Sequence, residues 1–117
     1  MILIVGGIAS GKRTFAAELG YPARDMADAV IDDRPALRNA QELVRHAEVE
    51  DVFPQLMEKD LVIAEEVGSG VVPATHEDRA WRDRAGHLSI RLAEHADTVV
   101  RMVCGIPVVL KGDPWVR

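Results

Sequence analysis

At 117 residues the chain has room for one compact domain and not for two, and with 48% apolar and 28% charged residues its composition is that of a globular protein. A formal net charge of −5 argues against sequence-independent binding of DNA or RNA, which needs a basic face; the local clusters Lys12–Arg13 and Arg79, Arg82 and Arg84 suit a small phosphorylated ligand instead. The single cysteine, Cys104, excludes an intrachain disulfide and reads as a buried core thiol, and the opening apolar run is too short for a signal peptide or a membrane span, so a soluble cytoplasmic protein is expected.

Ile2–Val5 is a continuous, β-branched-rich run closed by Gly6-Gly7, the pattern of a strand buried on both faces. Lys12–Leu19 reads as a helix stopped by Gly20 and Pro22. Ala29-Val30-Ile31 is a short second strand ending in Asp32-Asp33. Pro35 opens a helical stretch in which Leu37, Gln41, Val44 and Ala47 recur at helical spacing, and Pro54 is expected to break it. Leu61–Ala64 is a third strand ending in Glu65-Glu66, and Gly68-Ser69-Gly70 with Pro73 form a loop. Glu77–His95 is the longest helix, with Ala85, Leu88, Leu92 and Ala96 on one side. Thr98–Val103 and Ile106–Leu110 are strands four and five, close enough around Gly105 to pair as a hairpin. Strands alternating with helices define a layered α/β domain with a mainly parallel sheet. Ligands of such sheets sit beyond the carboxyl ends of the strands, where Asp32-Asp33, Glu65-Glu66 and the Gly6–Lys12 loop are all expected.

That loop carries the clearest chemistry. Gly6-Gly7-Ile8-Ala9-Ser10-Gly11-Lys12 fits G-x-x-x-x-G-K between a strand and a helix, the context the motif requires. Glycines allow the backbone to wrap with successive N–H groups aimed at phosphate oxygens, the helix start adds partial positive charge, and Lys12 reaches the β- and γ-phosphates. The motif departs at the next position, where a Ser or Thr hydroxyl would ligate Mg²⁺: here it is Arg13, with Thr14 one place later. Either Arg13 turns to solvent and leaves a weak metal site, or its guanidinium replaces the metal's charge on the phosphates. P-loop enzymes also need a carboxylate at the end of a neighbouring strand to hold Mg²⁺. Asp32 is the first choice for that metal role, with Asp33 and Glu66 beside the nucleotide; the alternative is that these acids mark solvated strand ends or, for Asp33, cap the next helix.

Glu66-Val67-Gly68-Ser69-Gly70-Val71-Val72-Pro73 resembles the "NEVGxGIVP" segment of the adenosylcobinamide kinase / adenosylcobinamide-phosphate guanylyltransferase family. Arg79-Ala80-Trp81-Arg82-Asp83-Arg84-Ala85-Gly86 is similar to its "RRFRDxxG", Ala93 and Ala96-Asp97 to its "A…AD", Gly105–Lys111 to its "GxPxxLK", and Gly6–Lys12 to the opening of its "GGxxSGKS". The resemblance covers about residues 1–20 and 61–112. It implies a three-layer P-loop NTPase-like domain over residues 1–117 with a C-terminal hairpin. It also implies GTP or ATP as ligand, a cobinamide-type corrinoid as acceptor and a homo-oligomer; Arg13 leaves Mg²⁺ open, and the acidic charge and short apolar run point to no nucleic acid and no membrane. Family members phosphorylate adenosylcobinamide and then transfer GMP onto the phosphate through a guanylylated histidine.

The chain departs from the family between the first helix and Glu66, where it is shorter. Arg34-Pro35-Ala36 keeps three letters of the family's "RPAHW" with no histidine just ahead of it; on that placement Glu42 falls at a nucleotide-contacting glutamate. On the preferred placement, Val30-Ile31-Asp32 is the family's "LVD" strand and the histidine segment is deleted. Neither supplies the guanylylated nucleophile, and His46, His76, His87 and His95 read as surface or core residues. The family's asparagine before "EVG" is Glu65. Three hypotheses follow: a minimal phosphotransferase in which Lys12 and the loop amides stabilise the transferring phosphoryl and Asp32 holds Mg²⁺ or orients the acceptor; a non-catalytic nucleotide- or corrinoid-binding module; and a structural subunit with the loop retained.

Overall fold

The computed structural model describes residues 1–67 and 75–116. Its elements are β1 (Ile2–Gly6), α1 (Lys12–Glu18), β2 (Met26–Asp28), β3 (Ala36–Arg38), α2 (Val49–Met57), β4 (Leu61–Glu65), α3 (His76–His95), β5 (Thr98–Val103) and β6 (Ile106–Lys111), with short 3-10 helices at Ala23–Asp25 and Ala40–Val44. One six-stranded sheet runs in the order β2-β3-β4-β1-β5-β6. All neighbours are parallel except β5 and β6, which pair antiparallel.

β1 is central, and its continuous apolar run has the cause expected of a strand covered on both faces. Leu3 packs with α2, α3 and the Ala40–Val44 turn; Ile4 packs on the opposite side with Phe15, Ala16 and Leu19 of α1. The three layers are therefore α1, the sheet, and a layer made of α2 and α3. α3 meets the sheet through Ala85, Leu88 and Leu92, begins with Thr75 accepting a hydrogen bond from the Asp78 N–H at 3.0 Å, and ends beside the Lys111 ammonium, which donates to the carbonyls of Ala93 and Glu94. The Gly68–Pro73 loop expected from sequence lies outside the described residues.

Three expectations are corrected. The second strand is Met26–Asp28, because Ala29 takes a left-handed φ of 53° that ends it, and Val30 is exposed. The helix expected after Pro35 is a strand: Ala36 and Leu37 are fully buried and pair in parallel with Leu61 and Val62, and Asn39 (φ 57°) turns the chain into the 3-10 helix. Pro54 does not break α2, which passes through it; Val49, Val52 and Leu56 hold the buried face while Pro54 is on the solvent side, where its missing N–H is tolerated.

Cys104 is exposed rather than buried. It and Gly105 are the two turn residues of the β5–β6 hairpin, with φ of 51° and 77°; positive φ at both is the hairpin turn whose twist matches the strands it joins. Among the described helices none is long and apolar enough to cross a membrane.

Candidate functional site at the carboxyl edge

The parallel strands end at one edge of the sheet, and there the loop from Gly6 to Lys12 curls over β1. Gly6 has to be glycine: a Cβ would meet Ser10 Oγ at 2.5 Å and the Met102 carbonyl at 2.9 Å. Gly11 has a φ of 96°, and a Cβ there would come within 3.2 Å of Gly105 Cα. The Gly105 N–H donates to the Ser10 carbonyl at 3.0 Å, so the hairpin turn closes the loop on its β5 side. Gly7 meets nothing, and Ile8 projects into solvent.

Lys12 is largely buried, and its ammonium lies back inside the loop, donating to the Gly7 carbonyl and lying 3.4 Å from Ser10 Oγ. Burial lowers its pKa from the usual lysine value, and the carboxylates of Glu65 and Glu66 partly oppose the shift. A lysine held in this way keeps its positive charge inside the loop, against the Gly7 carbonyl.

A cleft of about 510 Å³ opens in front of the loop, within the range of small-molecule sites. Ile8 through Thr14 form one wall, Arg38 and Asn39 at the end of β3 form the other, and Ile63 and Glu65 of β4 lie between. Arg13 and Thr14 are exposed at its rim, and the Arg13 guanidinium has no ion-pair partner among the described residues. Lys12, Arg13 and Arg38 against Glu65 leave the cleft net positive although the chain is acidic.

A polar chain fixes the wall at β3. Asn39 donates to Asp28 Oδ1 at 2.7 Å, Arg38 pairs with the same carboxylate at 3.1 Å, and buried Gln41 accepts from the Glu65 N–H at 3.0 Å. α3 clamps this wall from behind. Trp81 Nε1 donates to the Gln41 carbonyl at 2.8 Å, Arg84 donates to the carbonyls of Val44 and Arg45, and the Arg45 guanidinium stacks 3.7 Å from the Trp81 ring. Arg84, read from sequence as part of a basic ligand patch, thus satisfies backbone carbonyls.

Of the acids singled out in sequence, the structure brings Glu65 and Glu66 to this edge and takes Asp32 and Asp33 away from it. Glu65 is in register with Gly6 and lines the cleft. Glu66 is engaged elsewhere: its carboxylate pairs in two-pronged fashion with Arg101 at 2.6 and 3.1 Å, and its N–H donates to the Gly6 carbonyl. Asp32 lies at the amino-terminal edge. Its backbone carbonyl and that of Arg34 accept from Lys59, just ahead of β4; Arg34 also donates to the Met26 carbonyl at the start of β2; and the Asp60 N–H donates to the Pro35 carbonyl. The Asp32 carboxylate is bonded by Arg34, which holds its pKa below the usual carboxylate range, and Asp33 is exposed beside it. The cause is the loop from Ala29 to Pro35, which must return across the sheet because β2 and β3 are parallel. Asp32 and Lys12 are therefore not neighbours. Glu42 pairs with Arg45 rather than lining the cleft, and all four histidines are exposed.

Arg38, Asn39 and Gln41 were missed in sequence because the stretch reads at helical spacing; the one available signal was Asn39, a residue tolerant of the left-handed region. Among the described residues no three His, Cys, Asp or Glu side chains gather as a metal site. Glu65 is the one carboxylate lining the cleft and Arg13 stands where the hydroxyl ligand would be, so the cleft lining offers Mg²⁺ a single carboxylate.

The order of strands and the glycine loop define an α/β domain of the P-loop type. Comparison with known families narrows the class: the family described as cobinamide kinase / cobinamide phosphate guanyltransferase matches residues 25–110, and the chain belongs to that family. It is similar to the bifunctional adenosylcobalamin biosynthesis protein CobP of Pseudomonas aeruginosa, 39% identical over 54 residues that cover 46% of this chain and 31% of that protein. It is likewise similar to the bifunctional adenosylcobalamin biosynthesis protein CobU of Salmonella typhimurium, 43% identical over 53 residues covering 45% of this chain and 29% of that protein. These matches span less than a third of either relative's length.

Proposed function

We propose that the cleft binds the phosphates of GTP or ATP, and that it does so without a protein-built metal site. The observation that carries this reading is the Gly6–Lys12 loop, closed by the β5–β6 turn, with the Lys12 ammonium inside it and Arg13 and Arg38 across the cleft. Loop amides and Lys12 hold the phosphate oxygens, and Arg13 supplies the charge that a metal ion supplies elsewhere. Calorimetry with GTP and ATP tests it, with and without Mg²⁺, on the native chain, Lys12→Ala and Arg13→Ser. The expected result is Mg²⁺-independent binding by the native chain, loss of at least tenfold in Lys12→Ala, and Mg²⁺ dependence appearing in Arg13→Ser. No binding of either nucleotide by the native chain refutes the reading.

Membership of the family supports a second reading, in which the bound nucleotide is a phosphoryl donor to a cobinamide-type corrinoid. The chain's own residues would then stabilise charge on the transferring phosphoryl through Lys12, Arg13 and the loop amides. We also propose a homo-oligomer through β6, an edge strand on which Ile106, Val108, Val109 and Leu110 are exposed with Lys111 the strand's only charge.

A further inference from the structure

A second cavity of about 340 Å³ adjoins the phosphate cleft and shares Arg13, Thr14 and Arg38 with it. Beyond that shared rim its lining changes character: Ala17, Tyr21, Ala23 and Met26 are uncharged, and one is aromatic. The local sequence builds this wall. Gly20, with a φ of 103°, ends α1 in a turn in which the Gly20 N–H donates to the Ala17 carbonyl at 3.0 Å and the Tyr21 N–H donates to the Ala16 carbonyl at 2.9 Å. Tyr21-Pro22 then lead through the 3-10 helix at Ala23–Asp25 into β2, whose first residue, Met26, lines the cavity.

From this geometry, and resting on the phosphate site proposed above, we infer that the second cavity is the nucleoside pocket: a triphosphate on the loop passes between Arg13 and Arg38 and places its base and ribose against Tyr21 and Met26. Two features fix the direction. On the β5 side the loop is filled by the hairpin turn, with Gly105 hydrogen-bonded to Ser10 and packed on Gly11. On the β3 side the cleft continues, and its positive groups stand at the junction between the two cavities while the far cavity is neutral. That division matches a ligand with a charged chain at one end and a flat, uncharged ring system at the other, because ring faces gain from aromatic and apolar walls.

The test uses inorganic tripolyphosphate, GTP and ATP as ligands, and the native chain, Ala17→Trp and Ala23→Trp as proteins. Ala17 and Ala23 are exposed wall positions, so a large side chain fills the second cavity without entering the core, and circular dichroism with a thermal melt confirms folding. The native chain should bind at least one nucleoside triphosphate ten or more times more tightly than tripolyphosphate. Each Trp variant should bring nucleotide affinity down to the tripolyphosphate level while tripolyphosphate affinity stays within about twofold. Nucleotide affinity unchanged in both folded variants overturns the pocket assignment, as does equal affinity of the native chain for tripolyphosphate and nucleotides. Failure of the native chain to bind any of the three overturns the phosphate site itself, an outcome distinct from the others.

Discussion

Replacing Gly6 by alanine measures how closely the Gly6–Lys12 loop is seated on the sheet. The new Cβ would lie 2.5 Å from Ser10 Oγ and 2.9 Å from the Met102 carbonyl oxygen. The hydroxyl can rotate away. The carbonyl cannot, because Met102 is the parallel register partner of Gly6 on β5 and is itself buried. One strand must shift, and overpacking of this kind costs about 1–3 kcal/mol. The lower chain entropy of unfolded alanine returns about 0.4–1 kcal/mol. The net loss of up to about 2.6 kcal/mol corresponds to a fall in Tm of up to roughly 10 °C for a chain of this size. Gly7→Ala is the control: nothing lies within 4 Å of its Cβ, and its φ is not positive, so it should be neutral or slightly stabilising. Urea denaturation and thermal melts of the two variants decide the matter. Equal midpoints for Gly6→Ala and Gly7→Ala would refute the packing of the loop on β5.

Other consequences can be checked on the same material. Cys104→Asn should raise stability by about 0.5–1 kcal/mol, since Asn-Gly suits a two-residue turn with positive φ at both positions; a lower urea midpoint would contradict the turn geometry. The lowered pKa of Lys12 has a pH signature. The folded state releases this proton at lower pH than the unfolded chain, so the native chain gains stability relative to Lys12→Met as pH rises from the folded pKa towards 10.5, and the difference is constant below that window; a difference that shrinks on the alkaline side would be the wrong sign. Oligomerisation through β6 should appear as concentration-dependent sedimentation that Val108→Lys weakens, whereas a monomer at every concentration would remove β6 as an interface.

Long or strongly patterned stretches declared themselves without any tertiary information. β1 and β4 are continuous apolar runs because each is covered on both faces; α3 shows its buried stripe at Ala85, Leu88 and Leu92; and the glycine spacing around Lys12 is a local steric necessity at Gly6 and Gly11. The short strands were not legible in the same way. Three residues are too few to show a period, so Met26–Asp28 and Ala36–Arg38 are strands only because neighbours offer them hydrogen bonds and burial, and Leu37 was as consistent with a helix as with its pairing to Val62. The fate of the acids was likewise a tertiary decision. "Apolar run then acid" describes both Glu65 and Asp32, yet strand pairing sets one against Lys12 and a seven-residue return loop carries the other to the far edge, into the grasp of Arg34 and Lys59. Local sequence determined the glycine loop and the lysine it holds; the order and direction of strand pairing decided which charged groups face that loop, because side chains adjacent on an edge come from segments far apart in the chain.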